Sequence, residues 1–366
     1  MAYTRRRGKK HLACWRGPDG RTRTKGGFDR KTGPDGALAY AQRQERAIHD
    51  QTYIDPRAGT LTVADWWGLW WPTQVQLARK TRDRDEWLWR AYVRPAFGNR
   101  ELRTLTREAV GAWIADLDDR DNIGAATVVK AHGLLHKLLN AAVREQRIGR
   151  NVATEANLPK ELPAKRRAIE RDELDKLIGA RPDDLTWRRF CLIGAYAGPR
   201  VGEIAGLRWE HVHDGWLEID QQITDVNGVL EITRRLKGGE NARRRVPIPP
   251  FLSTLLHDER EADGWLVPAP AGGPLRVDNF RERVWQPACA AAGLGNLDKQ
   301  GTYSGLVPHE LRHTAITWWI VHGGASLLDV QKWAGHESLR MLERVYGHLV
   351  PSHTSDVMGR LDGFGR

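Results

Sequence analysis

The sequence predicts a multidomain, mainly α-helical chain with small β elements. Three observations carry that prediction. The chain has 366 residues, and at roughly 100–200 residues per domain this allows two or three domains. Over most of the length, apolar residues recur at helical spacing, with Thr or Ser ahead of them and Gly or Pro behind. Strand-like patterns are confined to the N-terminal segment and to a stretch around residues 216–248. The expected division is a small α+β module at 1–58, an all-α domain at 60–155, and an α-rich domain with a β-hairpin or small sheet at 165–366.

In the first segment, HLACWRG (residues 11–17) alternates as a short strand. Pro18-Asp19-Gly20 offers a turn, followed by a basic stretch that ends at Phe28. Ala37 to His49 reads as a helix, with Leu38, Ala41 and Ile48 roughly on one face. So short a module has a thin core, and Thr52 to Thr60 reads as a linker.

The second segment reads as four helices. Thr62 caps a helix that starts at Val63 and stops at Pro72. Thr81 to Val93 forms another, ended by Arg94-Pro95. Thr106 caps a third that ends near Leu117. Thr127 to Arg147 makes a long fourth, with Gly149 as the residue that terminates it. The tryptophans here are expected to pack for the most part. Residues 151–167, with two prolines and a basic end, read as a linker. From Ile169 onward the pattern is helical, interrupted by strands at 216–219, 229–233 and 245–248.

Charge narrows the function. The net charge is +11. Residues 1–58 hold 14 basic and 6 acidic side chains, residues 59–160 hold 16 and 12, and the rest hold 27 and 28. A basic front and a near-neutral back point to a polyanion, most plausibly nucleic acid, gripped by the first half. No stretch approaches the ~18 apolar residues of a membrane span, and no apolar run of signal-peptide length follows the basic start. Cys14, Cys191 and Cys289 lie far apart without a CxxC pair, which argues against a disulfide scaffold or a Cys-rich zinc site and fits a reducing cytosol.

Four segments of the C-terminal half carry candidate chemistry. In Ala197-Gly-Pro-Arg200, Pro199 suits the first helical position, so that Arg200 projects from the first turn and Glu203 braces it. Residues 234–249 (RRLKGGENARRRVPIP) read as a basic hairpin, with Lys237 at its lip and Arg243 to Arg245 on its return strand. Pro308-His-Glu-Leu-Arg-His-Thr314 opens a helix on which His309, Arg312 and His313 share a face. Its H-E-x-x-H pattern also matches a zinc protease signature, but Ile316 and Trp319 stand where the extended motif needs Gly and His. In the fourth segment Ser326 and Asp329 form a capping box, Gly335 closes the helix and presents His336 at a turn, and Tyr346 follows ten residues later.

The order Arg-x-x-Glu, Lys hairpin, His-x-x-Arg-His-Thr, Gly-His and Tyr closely resembles the tyrosine recombinase (phage integrase) family over roughly residues 169–350. The three-part layout looks like lambda-type integrases, and RVYGHLVP looks like integrases of actinobacterial phages and mobile elements. The chain departs from the usual Thr-Gly-x-Arg and Leu-Gly-His boxes, without losing a catalytic side chain.

The resemblance implies a site-specific DNA recombinase acting through a 3′-phosphotyrosine. Arg200, Arg312 and His336 would hold the phosphodiester, Tyr346 would attack, Lys237 would be the general acid and His309 would assist proton transfer. Glu203 and His313 would orient these groups. Because the bond energy stays in the phosphotyrosine, no metal or other cofactor is expected. Residues 1–58 would bind arm-type DNA sites and 60–155 core sites, in a homotetramer on double-stranded attachment sites in the bacterial cytoplasm. A host DNA-bending protein and an excision factor are further implied partners. The candidate DNA contacts are Arg5, Arg6, Arg7, Lys9, Lys10, Arg21, Arg23 and Lys25 in the module, and Arg234, Arg235, Arg243, Arg244 and Arg245 in the hairpin. The alternatives are a type IB topoisomerase-like relaxing enzyme and a catalytically inactive DNA-binding regulator.

Overall fold

The computed structural model describes residues 2–50, 53, 58–160, 167–226, 228–234, 243–299, 301–336 and 338–350. It divides into two units, Met1–Leu162 and Pro163–Arg366, and the division falls inside the stretch read as a linker.

In the first unit, β1 (Tyr3–Arg7), β2 (Lys10–Arg16) and β3 (Thr22–Phe28) form an antiparallel sheet in that order. The helix α1 (Ala37–His49) lies where the sequence placed it. Ala13 and Trp15 of β2, Ala37 and Ala41 of α1, and Tyr53 make the small core between them. β1 escaped the sequence reading, because Thr4 to Arg7 offers no apolar alternation.

The helical part follows. Thr62 caps α2 (Val63–Trp70) through a reciprocal box with Asp65, whose amide donates to Thr62 Oγ1 at 3.0 Å. α3 (Arg79–Leu88) runs through a wide π turn, Trp89–Val93, into α4 (Arg94–Phe97). α5 (Arg107–Asp118) starts at its Thr106 cap, and α6 (Ala125–Arg144) closes the layer. Trp66, Trp67, Trp70, Trp71 and Trp89 are all buried here. Trp67 lies between Trp71 and Trp89, with ring centroids 4.6 and 4.5 Å away and planes nearly parallel. Packing is therefore the role of these five, while Trp87 stays half exposed.

Two helix ends differ from the sequence reading. Pro95 does not end its helix. In the π turn the Arg94 amide reaches back five residues to the Trp89 carbonyl, and that wider loop takes up the bond and space a proline removes. α6 ends before Gly149, with Gln146 in the left-handed region at φ 53°. The amides of Gln146 and Arg147 donate to the carbonyls of Val143 and Ala142, a Schellman closure that satisfies the last turn with a non-glycine residue.

The second unit begins with α7 (Arg171–Gly179), α8 (Leu185–Ala197) and α9 (Val201–Gly206). Five strands follow: β4 (Val212–His213), β5 (Trp216–Ile219), β6 (Gln222–Val226), β7 (Val229–Thr233) and β8 (Arg244–Pro247). They make two separate sheets, β4-β5-β8 and β6-β7, both antiparallel. The expected pairing of the two strands that flank the Gly-Gly segment is thus replaced. β7 pairs with its near neighbour β6, where Val226 meets Val229 and Asp225 Oδ1 accepts from the Gly228 amide at 2.9 Å. Closing that short loop costs less chain entropy than closing the longer one. β8 instead sets its buried Val246 opposite Leu217 of β5. Residues 235–242, with Lys237 and Arg235, lie outside the described residues.

Next come α10 (Pro250–Asp258), α11 (Val277–Phe280), α12 (Gln286–Ala291), the paired β9 (Gly295–Leu297) and β10 (Tyr303–Gly305), then α13 (Pro308–Val321), α14 (Leu327–Ala334) and α15 (Leu339–Tyr346). A second π turn, Arg281–Trp285, joins α11 to α12 just before Pro287, repeating the arrangement at Pro95. The core is built on α8 and α13, with Trp187, Phe190, Trp209, Trp285 and Leu311 buried. A smaller cluster of Ile316, Ile320, Val330, Ala334, Leu342 and Tyr346 ties α13 to α14 and α15. All three cysteines are free and buried. Among the described residues no helix is long and apolar enough to cross a membrane.

Candidate active site

α8 stops at Gly198, whose φ of +62° is open to glycine and strained for other residues. A side chain there would also strike Ala315 Cβ at 2.8 Å. This abrupt stop puts Pro199 ahead of the next helix, not at its first position as the sequence suggested. Arg200 is the N-cap of α9. The Glu203 carboxylate accepts from the Arg200 amide at 2.7 Å and from its Nη1 at 2.9 Å, so the bracing read from the sequence is present in full.

β8 delivers a second arginine to the same carboxylate. Arg244 Nη2 and Nη1 donate to Glu203 at 2.6 and 3.2 Å. Arg244 and Glu203 are both buried. The sequence reading made Arg244 a DNA contact, and the structure corrects it: strand alternation turns Arg244 inward while Arg243 and Arg245 are exposed. Arg245 lies over the Trp216 ring at 4.3 Å, and Arg234 is exposed after β7.

α13 supplies the third arginine. Arg312 is 2% exposed. Its Nη1 donates to the Gly198 carbonyl at 2.8 Å, and its Nη2 reaches the Ala334 carbonyl and lies 3.0 Å from His336 Nε2. The three guanidiniums share a feature that no single motif announces. The last carbonyls of a helix lack internal partners and carry its negative dipole end. At the end of α14, Trp333 O accepts from Arg244 at 2.7 Å, Ala334 O from Arg312, and Gly335 O from Arg200 at 3.2 Å. Gly335 then turns the chain at φ +65° and presents His336.

The electrostatics are lopsided. Among the described residues three arginines face one buried carboxylate. Burial alone would raise the Glu203 pKa, yet Arg244 and then Arg200 overcome it and hold the group near 2. Burial and the neighbouring Arg200 pull Arg312 down to about 9, which leaves it charged at neutral pH. Burial, then Arg312, Arg200 and Arg244, press His336 down to about 3, so its ring is neutral. With Nε2 facing the Arg312 donor, the proton belongs on Nδ1. That nitrogen is buried without a hydrogen-bond partner among the described residues. A buried donor beside excess positive charge is a site shaped for an anion.

Tyr346 ends α15 and is 5% exposed. Its hydroxyl is in hydrogen-bond contact with His313 Nδ1, and it also acts electrostatically on Arg312. His309, exposed on the first turn of α13, meets the His313 ring edge-on at 5.2 Å. The structure thus assembles Arg200, Glu203, Arg312, His336, His313 and Tyr346. Sequence reasoning missed the place of Arg244 in this cluster and the contact of His313 with Tyr346. Alternation along β8 was a usable signal for the first, and the i, i+4 face shared with His309 a weak one for the second. Among the described residues no group of three or more His, Cys, Asp or Glu is arranged to hold a metal ion.

The basic N-terminal residues are a surface. Arg5, Arg6, Arg7, Lys9, Lys10, Arg21 and Lys25 are exposed, and Arg23 is partly covered and paired with Asp19 at 3.1 Å. Lys10 pairs with Asp29, and Lys25 lies over the Tyr40 ring at 4.4 Å.

Residues 167–353, just over half of the chain, match the model of the phage integrase family. An integrase of Streptomyces ambofaciens is 23% identical over 275 residues, spanning 70% of this chain and 68% of that protein. Among solved structures, the Tn1549 transposon integrase in complex with transposon right end DNA superposes with a TM-score of 0.67 at 15% identity, covering 82% of this chain and all of that one. A lambda integrase tetramer bound to a Holliday junction superposes with a TM-score of 0.59 at 19% identity, covering 92% of this chain and 95% of that one. At such identities these two structures show a shared fold.

Proposed function

The chain belongs to the phage integrase family, site-specific DNA recombinases of the tyrosine type, and from that premise we propose that its Tyr346 cuts and rejoins DNA at the arginine-lined site. The observation that carries this reading is the unbalanced charge. Among the described residues, three buried or half-buried guanidiniums and one imidazole N–H without a partner stand against one carboxylate, next to a tyrosine hydroxyl.

A phosphodiester repels nucleophiles until its charge is met. Arg200 and Arg312 neutralise its non-bridging oxygens and favour the extra charge of the pentavalent transition state. His336 donates a third hydrogen bond from Nδ1. Arg244 and Glu203 keep Arg200 and the Gly335–His336 turn in position. Tyr346 Oη attacks phosphorus, giving a 3′-phosphotyrosine and a free 5′-hydroxyl. Lys237 protonates the leaving oxygen, a role that rests on family resemblance, and His309 assists proton transfer. The 5′-hydroxyl of a partner duplex then reverses the step and exchanges strands.

The rest of the chain fits DNA partners. Residues 1–58 bind arm-type sites through Arg5, Arg6, Arg7, Lys9, Lys10, Arg21, Arg23 and Lys25. Residues 60–155 bind core sites, and residues 165–366 hold the chemistry. Arg234, Arg235, Arg243 and Arg245 add further DNA contacts. Four copies work together on two duplexes in the bacterial cytoplasm, with a host DNA-bending protein and an excision factor as accessory partners. The integrase likeness over most of the chain does not favour a topoisomerase or an inactive regulator.

Covalent capture tests this reading. The protein is mixed with nicked duplexes from around its own gene and run on a denaturing gel. A shifted band that Tyr346→Phe abolishes, with DNA binding retained, supports the nucleophile. Full cleavage by Tyr346→Phe refutes it.

A further inference from the structure

We propose that His313 accepts the proton of Tyr346 as the tyrosine attacks the scissile phosphate, and so is a catalytic residue of the reaction. The inference rests on the reading of Tyr346 as the nucleophile. It departs from the expectation that His313 only orients its neighbours and that His309 handles proton transfer.

The argument starts from an energetic need. A phenol with a pKa near 10 is protonated at neutral pH, and the attacking atom must lose that proton as the Oη–P bond forms. A general base has to lie within hydrogen-bond reach of it. His313 Nδ1 meets that condition, since it contacts Tyr346 Oη directly, with the two rings tilted at 33° and centroids 6.0 Å apart. The contact is built into the helices. Tyr346 belongs to the cluster that ties α15 to α13, and His313 follows Arg312 on α13. The group that neutralises the phosphate and the group that takes the proton are thus chain neighbours on one rigid element.

The step balances. The Oη–P bond forms and the P–O5′ bond breaks. The Tyr346 proton moves to Nδ1, giving an imidazolium on His313. The leaving 5′ oxygen takes its proton from the separate general acid. In rejoining, the 5′-hydroxyl attacks, its proton returns to that acid, and Tyr346 Oη recovers its proton from His313.

The surroundings suit a proton held only for the lifetime of the intermediate. Among the described residues, His309 and Arg312 on α13, His336 after α14 and Tyr346 on α15 are titratable or charged groups near the His313 ring. α8 packs on the same helix but sets its Tyr196 against Trp318, and His348 in the turn after α15 is exposed. The phosphate, once bound, offsets part of the positive charge that opposes an imidazolium. His313 is partly buried, so its ring stays within reach of the site.

The test is the rate of covalent capture on a nicked duplex by the full chain, with variants first shown to bind that duplex as the wild type does. His313→Asn retains a hydrogen-bond acceptor near Nδ1 but cannot take a proton. It should slow capture by about 100-fold or more. Its rate should then climb with pH toward the phenol pKa, whereas the wild type levels off once His313 is neutral. A substrate with a bridging 5′ sulfur separates base from acid, because a thiolate leaves without a proton. The His313→Asn defect should persist on that substrate. Restoration to the wild-type rate there, or an unchanged rate and pH profile on ordinary DNA, would overturn the proposal. If His313→Asn loses binding, His313→Gln takes its place with the same expected results. Tyr346→Phe runs alongside: capture by that variant would sink the nucleophile reading itself, an outcome separate from a failure of His313 alone.

Discussion

Trp67 and Glu203 stand at the centres of two buried clusters, and the clusters differ in what they leave over. Around Trp67 the ring faces and two neighbouring indole N–H groups are matched within the chain. Its ring faces are covered by Trp71 and Trp89, Trp71 donates to Glu86 at 2.7 Å, and Trp66 donates to the Leu138 carbonyl at 3.0 Å. Around Glu203 the matching stops short. One carboxylate and the end of α14 hold three guanidiniums, and a buried imidazole N–H has no partner among the described residues. The first arrangement is what stability alone requires. The second stores an imbalance that an anion from outside would relieve.

Substitutions in each cluster should therefore separate chemistry from stability. The largest effect is expected for Arg312→Ala, which removes a charge proposed to meet the phosphate. Covalent capture should fall by about 1000-fold or more, while binding to the duplex, read by gel shift, persists. Glu203→Gln should come next. It leaves Arg244 buried opposite a neutral amide, and breaking such a pair costs about 3–5 kcal/mol, read as a lower melting temperature together with slower capture. The same carboxylate sets an acid limit. Because its folded pKa lies near 2, below the usual value of about 4.3, its stabilisation is complete above that usual value and drains away as pH falls toward 2. A pH series of melting temperatures should show a steeper loss in the wild type than in Glu203→Gln, which keeps only the loss from the other carboxylates.

In the tryptophan layer the signature should reverse. Trp67→Ala should cost about 3–5 kcal/mol of stability while the capture step, measured on bound complex where the variant is folded, keeps its rate. Thr62→Ala should be the mildest, at about 1 kcal/mol for the lost cap of α2, again without change in the capture step. A slowed chemical step in either variant would break the contrast between the two regions.

The same contrast explains what the sequence could disclose. Local signals read well. Thr62 and Thr106 cap the helices expected of them, α1 spans the residues proposed for it, and Gly335 turns the chain at His336. Each depends on a few neighbouring residues. Where a distant partner decides the outcome, the reading failed. Pro95 looks like a terminator until the π turn before it is seen. Arg244 looks like a surface base until Glu203, 41 residues away, draws it inward. The strands beside the Gly-Gly segment look like one hairpin until each finds a better partner in β6 or β5. The three carbonyls of α14 are invisible to any motif, since backbone groups carry no residue signature.

The central claim is that the arginines exist to meet the charge of a phosphodiester. It is tested most directly by capture on a nicked duplex whose scissile phosphate is replaced by an uncharged methylphosphonate. If Arg312 neutralises that charge, Arg312→Ala should be nearly inactive on the ordinary duplex and regain much of its activity on the neutral one. Equal loss on both duplexes would mean that Arg312 serves only to hold Gly198 and Ala334 together, and would contradict the account.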